Sequence, residues 1–239
     1  MEVIDVNNIN LDIGQIQYSK PIHVNDFLTF YKVNYGENFF ILKTPEMYIN
    51  SEPNLIFKSP FIHVSFRGKK TNKKLDTFYN WIMEVENKIY EDVKKVYKDS
   101  IFIPSINDYK STIDDCEHNY ESMKLYISKD IDIYDRNTKK SVLIHDSKDV
   151  FKNVFHKGCN LKMLVKLDHI WSNNLNFGCC WKVIQCLTDI EHEESNKEAG
   201  EKFNEESNDE IIDLNGKDIN DLDNDEIIDL NDLEIEIEN

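Results

Sequence analysis

The acidic residues decide first how much of this 239-residue chain can fold. Of the 45 Asp and Glu, 21 lie in residues 189–239, beside only three lysines, Lys197, Lys202 and Lys217. The first 188 residues keep 24 acids against 25 of the 28 Lys and Arg. They are therefore about neutral, at +1, inside a chain of net charge −17. The terminal block has Phe203 as its sole aromatic residue, so it cannot bury enough apolar surface to offset the entropy of ordering a self-repelling segment. Two units follow: one folded domain over 1–188, which keeps all three tryptophans, and a disordered acidic tail over 189–239. The acidity of the whole chain says nothing against a polyanionic partner for the domain.

Within 1–188, short apolar runs separated by turn residues predominate. Strands are expected at 2–6, 38–43, 61–67, 123–128, 131–134, 141–144, 161–171 and 177–187. One segment has a different period. Leu75, Phe78, Tyr79, Ile82, Val85, Ile89, Val93 and Val96 recur at helical spacing, with Lys and Glu between them. The spacing predicts a helix over 72–98, capped by Thr71 or Asn72, whose apolar stripe packs on a core. Many short strands and one long helix predict a mainly β fold, a small barrel crossed by a helix.

Enzyme chemistry finds little support. The glycines of the domain, Gly14, Gly36, Gly68, Gly158 and Gly178, are scattered and form no phosphate-binding loop. His156, Cys159, Cys179, Cys180 and Cys186 lack the paired two-residue spacing of a structural zinc site. Cys180 and Cys186 also share strand parity, so buried reduced thiols are expected and no metal or other cofactor. Asp221, Asp223 and Asp225 resemble the start of a calcium loop, but Glu226 stands where the sharp turn needs glycine and Asp232 where the bidentate Glu belongs. The opening residues lack a basic, apolar leader, and no run approaches a membrane span. With an odd five cysteines, this predicts an intracellular protein with no membrane partner.

Binding signals are richer. Arg67, Lys69, Lys70, Lys73 and Lys74 crowd eight residues between a strand and the helix. Such a loop can hold phosphates without reading sequence, or it can be a solvated helix start or a localisation signal. In 123–127, alternation sends Met123, Leu125 and Ile127 inward and leaves Lys124 and Tyr126 outside. A cation beside an exposed ring can stack a base while neutralising its phosphate. The same parity puts Met163, Val165 and Leu167 inside with Lys162 and Lys166 outside, and Ile62, Val64 and Phe66 inside with His63 and Arg67 outside.

The stretch Leu161-Lys-Met-Leu-Val-Lys-Leu-Asp-His-Ile-Trp171, the polar turn Ser172-Asn-Asn174 and Phe177-Gly-Cys-Cys-Trp181-Lys182 together resemble the closing hairpin of a viral family. That family comprises the single-stranded DNA-binding proteins of nucleo-cytoplasmic large DNA viruses, related to phage replication proteins of the same kind. Phe39-Phe-Ile-Leu-Lys43-Thr-Pro45 and the helix after 61–67 stand in the order the resemblance requires. It implies an OB-fold, no enzymatic activity, and protection of unwound DNA during replication, recombination and repair at viral sites in the host cytoplasm or nucleus. It implies too a possible homodimer and an acidic tail that competes with DNA and contacts replication proteins. The backbone path would then be lined by Arg67, Lys69, Lys70, Lys73, Lys74, Lys124, Lys162, Lys166 and Lys182, with Tyr126 stacking bases. The phage tails end on an aromatic residue, whereas this chain ends on Glu238-Asn239.

The tail itself writes NDEIIDLN twice, at 208–215 and 224–231, each copy joining an isoleucine pair (Ile211 and Ile212, Ile227 and Ile228) to a set of carboxylates. Such a segment can imitate a nucleic-acid backbone in charge while its isoleucines dock on a partner, or it can be low-complexity drift. The competing reading of the whole is a non-enzymatic interaction or regulatory protein whose acidic tail captures basic partners.

Overall fold

The structure is a computed structural model that describes residues 3–5, 11–54, 59–111, 118–142 and 148–188. The chain opens with β1 (Ile4–Asp5), a 3-10 turn (Ile13–Gln15), β2 (Ile16–Tyr18), β3 (Ile22–His23), β4 (Thr29–Tyr35) and β5 (Asn38–Phe39). It continues through β6 (Ile41–Lys43), β7 (Met47–Ile49), β8 (Phe61–Ser65) and the long helix α1 (Lys73–Lys94). Then come β9 (Ile101–Ile103), β10 (Ile106–Ser111), β11 (His118–Asp135), β12 (Ser141–Val142), a short helix α2 (Lys148–Val154) and the closing hairpin β13 (Asn160–Ser172) and β14 (Asn176–Thr188). The fold is mainly β, as expected. Among the described residues no helix is long and apolar enough to cross a membrane.

Five strand segments close on themselves. β7 pairs with β8, β8 with β11, β11 with β14, β14 with β13, and β13 returns to β7. All these pairings are antiparallel except β11–β14, which is parallel. β6 and β7 act as one strand, because both run along β13, Ile41–Lys43 opposite Leu164–Lys166 and Met47 opposite Leu161. Between them Pro45 can donate no ladder bond, and the Thr44 hydroxyl accepts the Met163 amide at 3.0 Å in place of a backbone carbonyl. Counting β6–β7 as the first strand, the order around the ring is first, second, third, fifth, fourth and back to first. That is the closed Greek-key order of an OB barrel. α2 lies between the third and fourth strands, and α1 is inserted between the second and third.

Alternation fills the barrel. Ile62, Val64, Met123, Leu125, Val165, Leu167, Trp181 and Val183 are all fully buried, and Phe155, just after α2, joins them. α1 forms where the stripe predicted it. The Asn72 side chain accepts the amides of Lys74 and Leu75 at 3.1 and 3.2 Å, Asp76 favours the positive end and Lys94 the negative end. The stripe ends at Val93, and Val96 stands 70 % exposed beyond the helix. One polar anchor fixes α1 to the barrel. Buried Glu86 accepts from the Ser105 amide and hydroxyl and from the Trp181 indole at 3.2 Å. Burial pushes its carboxyl above the usual range, and these donors hold the shift in check.

Several strands differ from the sequence expectation. 123–128 and 131–134 are parts of one strand, β11. β2, β3, β4, β7, β9 and β10 were not expected at all. Parity also fails in β14. Leu164 pairs with Gln185 but Val165 with Val183, so Ile184 bulges and flips the later residues. Cys186 then joins the core while Cys180 borders the opposite face, which corrects the expectation that the two share a side.

Candidate nucleic-acid interface

Residues between the core positions form the outer face of the barrel. On β8 these are Phe61 and His63, opposite Tyr126 and Lys124 of β11. Tyr126 is in register with Lys182 of β14, Lys182 with Lys166 of β13, and Lys166 with Ile41 of β6. One row therefore crosses five adjacent strands, about 19 Å at the usual strand spacing. The alternation put Lys124, Tyr126 and Lys166 outside and the expected backbone path added Lys182; the structure gathers these four in or beside that row.

The rings and cations in it are interleaved. Phe61 and Tyr126 meet edge to face, centroids 6.1 Å apart, and His63 lies 5.5 Å from Phe61. The Lys124 ammonium sits over both rings, 4.1 Å from the Phe61 centroid and 4.7 Å from that of Tyr126. Lys166 lies 4.1 Å over the exposed Phe39 ring. These contacts hold the lysine heads against the rings, and among the described residues no carboxylate pairs with Lys124. Burial pulls the Lys124 pKa down, and burial together with Lys124 pulls His63 down. Burial raises Tyr126 to about 12.

A second element of the face is a charge knot on a bulge. Leu167 pairs with Trp181 and His169 with Cys180, which leaves Asp168 as the extra residue and turns it to the outer face. Its carboxylate lies 3.3 Å from Lys166, 3.0 Å from Lys182 and 3.0 Å from His169 Nδ1. Burial alone would raise the Asp168 carboxyl, but His169, Lys182 and Lys166 hold it far below the usual range. Burial opposes protonation of His169, yet Cys180 and Asp168 outweigh it and push the imidazole up to about 9. His169 also packs at a tilt against Phe30, centroids 4.1 Å apart. The knot gathers two lysines and a histidine about one carboxylate.

The knot makes a testable prediction. A raised His169 pKa contributes stability that is whole below the unfolded value of 6.5 and is lost as pH rises through about 9. The unfolding midpoint of the chain in urea is expected to fall between pH 6.5 and 9, and Asp168→Asn is expected to flatten that fall. An unchanged pH profile in the variant would show that Asp168 does not hold the His169 proton.

The basic loop is arranged differently. Gly68 takes φ +86°, turning the chain from β8 towards α1. Lys69 is engaged: it pairs with Glu121 and lies 3.3 Å over the Tyr79 ring, whose hydroxyl donates to Glu121 at 2.8 Å. Burial works against the Lys69 charge, but Glu121 and Tyr79 raise its pKa, while Glu121 is lowered. Arg67, Lys70, Lys73 and Lys74 are exposed. Arg67 lies four residues beyond His63, about 13 Å along the strand direction. Lys162 is also exposed, opposite Leu187 and away from the Tyr126 row. The loop and Lys162 are thus neighbours of the face and not members of its row. Ile211, Ile212, Ile227 and Ile228 lie outside the described residues.

Phe61, Phe39, Phe30 and His169 belong to the face without having been nominated. Parity on 61–67, which already put His63 outside, carried the signal for Phe61. Phe30 and Phe39 gave none, because their strands are too short or too mixed to show a period. Among the described residues no three His, Cys, Asp or Glu side chains gather as a metal site would require.

No protein-family model matches the chain, and no curated protein matches its sequence. Among solved structures, it is similar to the single-stranded DNA-binding protein of bacteriophage Enc34, C-terminal truncation. The identity there is 12 %, the match covers 75 % of this chain and 98 % of the other, and the TM-score is 0.37. The same phage protein in complex with ssDNA gives 10 % identity, coverage of 75 % and 97 %, and a TM-score of 0.39. It is also similar to gp2.5, a single-stranded DNA-binding protein of bacteriophage T7, at 10 % identity, coverage of 68 % and 100 %, and a TM-score of 0.41.

Proposed function

We propose that this chain binds single-stranded nucleic acid, in the first place DNA, through the outer face of its barrel and without reading sequence. One observation carries the reading: Phe61, Tyr126, Lys124, Lys182 and Lys166 stand in adjacent register on neighbouring strands, rings interleaved with cations. Every base has a π-face, so stacking on Phe61 and Tyr126 is sequence-tolerant, and lysines between the rings neutralise the phosphates that link stacked bases. The second and third strands of an OB barrel and the loop joining its fourth and fifth are where that architecture takes oligonucleotides, and here β8 and β11 supply the rings. Duplex DNA keeps its bases inside the helix and offers none of these stacking faces.

In this reading the chain acts without chemistry, covering unwound strands in viral replication, recombination or repair inside the host cell. The tail over 189–239, with 21 carboxylates, competes with DNA for the cationic face, and its Ile211–Ile212 and Ile227–Ile228 pairs engage replication partners. A possible homodimer belongs to the same reading.

The reading is tested by competition for a fluorescent oligo-dT. Unlabelled oligo-dT is expected to displace the probe, oligo-U to do so comparably, since stacking on a ring is indifferent to the sugar, and duplex DNA to do so poorly. Equal competition by duplex would mean that charge alone, not ring stacking, governs binding.

A further inference from the structure

Beyond Phe30 and His169, a larger ring on the outer face lies away from the Phe61–Tyr126 row. Trp171 points outward on β13, in register with Gly178 of β14 on one side and Phe30 of β4 on the other. Unlike Trp81 and Trp181, which are 7 % and 0 % exposed, it is partly exposed and takes no part in the hydrophobic core. Gly178 explains its pose. A Cβ built there would lie 2.9 Å from Trp171 Cζ2 and 3.1 Å from Cε2, so the indole rests directly over the glycine backbone. A side chain at 178 would lift the ring, and a Cβ would also meet the Ile103 carbonyl at 2.7 Å. The close approach of β9, parallel to β14 at Asn176–Gly178, therefore crowds the same spot as the indole.

A flat indole on a backbone floor costs little further entropy when a base settles on it, because its rotamer is already set. Gly178, the register partner of Trp171, lies four residues along β14 from Lys182, about 13 Å, and Trp171 stands one residue before the turn at Asn173 and Asn174 that joins the fourth and fifth barrel strands. The knot of Lys166, Lys182 and His169 about Asp168 lies between it and Tyr126.

We infer that Trp171 is a third base-stacking platform, which carries the strand from the Phe61–Tyr126 rings across the charge knot to the 173–176 turn. The ligand class is a nucleobase of a single strand, so the inference rests on the function proposed above.

The test uses the full chain, with oligo-dT binding followed both by anisotropy of a labelled oligonucleotide and by intrinsic tryptophan emission. Saturating oligo-dT is expected to quench the emission and to shield it from acrylamide, since Trp171 is the exposed fluorophore of the three. Trp171→Leu is expected to weaken binding about tenfold and abolish the quenching, while Trp171→Phe keeps affinity within about threefold but loses the quenching. An oligonucleotide with abasic sites should show no such loss in Trp171→Leu. If the wild-type chain binds but Trp171→Leu binds equally well, or if oligo-dT leaves acrylamide quenching unaltered, Trp171 is no platform. If the wild-type chain does not bind at all, the underlying reading falls and this one with it.

Discussion

Replacing Phe61 and Tyr126 together by alanine is expected to weaken oligo-dT binding about a hundredfold. The magnitude follows from stacking, roughly 1–3 kcal/mol per base by alanine substitution, taken at about a factor of ten for each ring. The second consequence is local. Lys124 is steered by the two rings at 4.1 and 4.7 Å, and without them its head is released to solvent. The fold should tolerate the change, because both side chains are only partly buried and neither belongs to the core cluster. Their edge-to-face contact contributes about 1 kcal/mol. Phe61→Tyr with Tyr126→Phe keeps both π-faces and should bind as the wild type does. Titration of labelled oligo-dT against each variant, with thermal unfolding as control, separates the outcomes. Wild-type affinity in the double alanine variant would place the path elsewhere.

Removing residues 189–239 is expected to tighten binding about tenfold at low salt. The deletion converts a −17 chain into a +1 domain while leaving every residue of the barrel in place. A tethered polyanion competes intramolecularly, at an effective concentration on the order of millimolar. Against a tail–face dissociation constant of roughly 0.1 mM, that lowers apparent DNA affinity by about a factor of ten. The advantage of the shortened chain should shrink as salt rises, since exposed charges are screened beyond about 10 Å at 0.1 M. Exchanging both isoleucine pairs for serine should leave this competition intact and weaken only partner capture. Equal affinities of the two chains at low salt would show that the tail does not occupy the face.

What could be read from sequence tracks how local each feature is. α1 was legible to within a few residues because eight apolar side chains at one period and an Asn cap need no distant partner. Lys124 and Tyr126 were legible because a strand with Met123, Leu125 and Ile127 buried must turn its other residues out. The missing half of the site depends on register. Phe61 meets Tyr126 only because β8 and β11 pair as they do, and nothing local to 61–65 shows that partner. Asp168 was invisible as the centre of a knot, because a bulge, not alternation, turns it outward. The same kind of defect at Ile184 separated Cys180 from Cys186. Lys69 had looked available in a basic loop, and its partner Glu121 lies 52 positions away in sequence.

A strand held by several lysines at once is measured most directly by the salt dependence of oligo-dT binding. Lys124, Lys166 and Lys182 each taking a phosphate predict a slope of log K against log salt of about −2, at roughly −0.7 per phosphate for a single strand. Lys182→Gln should reduce that slope by about 0.7. A saturating anisotropy signal at about 50 mM salt with this slope is the predicted result. No anisotropy change at low salt, or binding whose slope is near zero and unaltered by Lys182→Gln, would contradict the account.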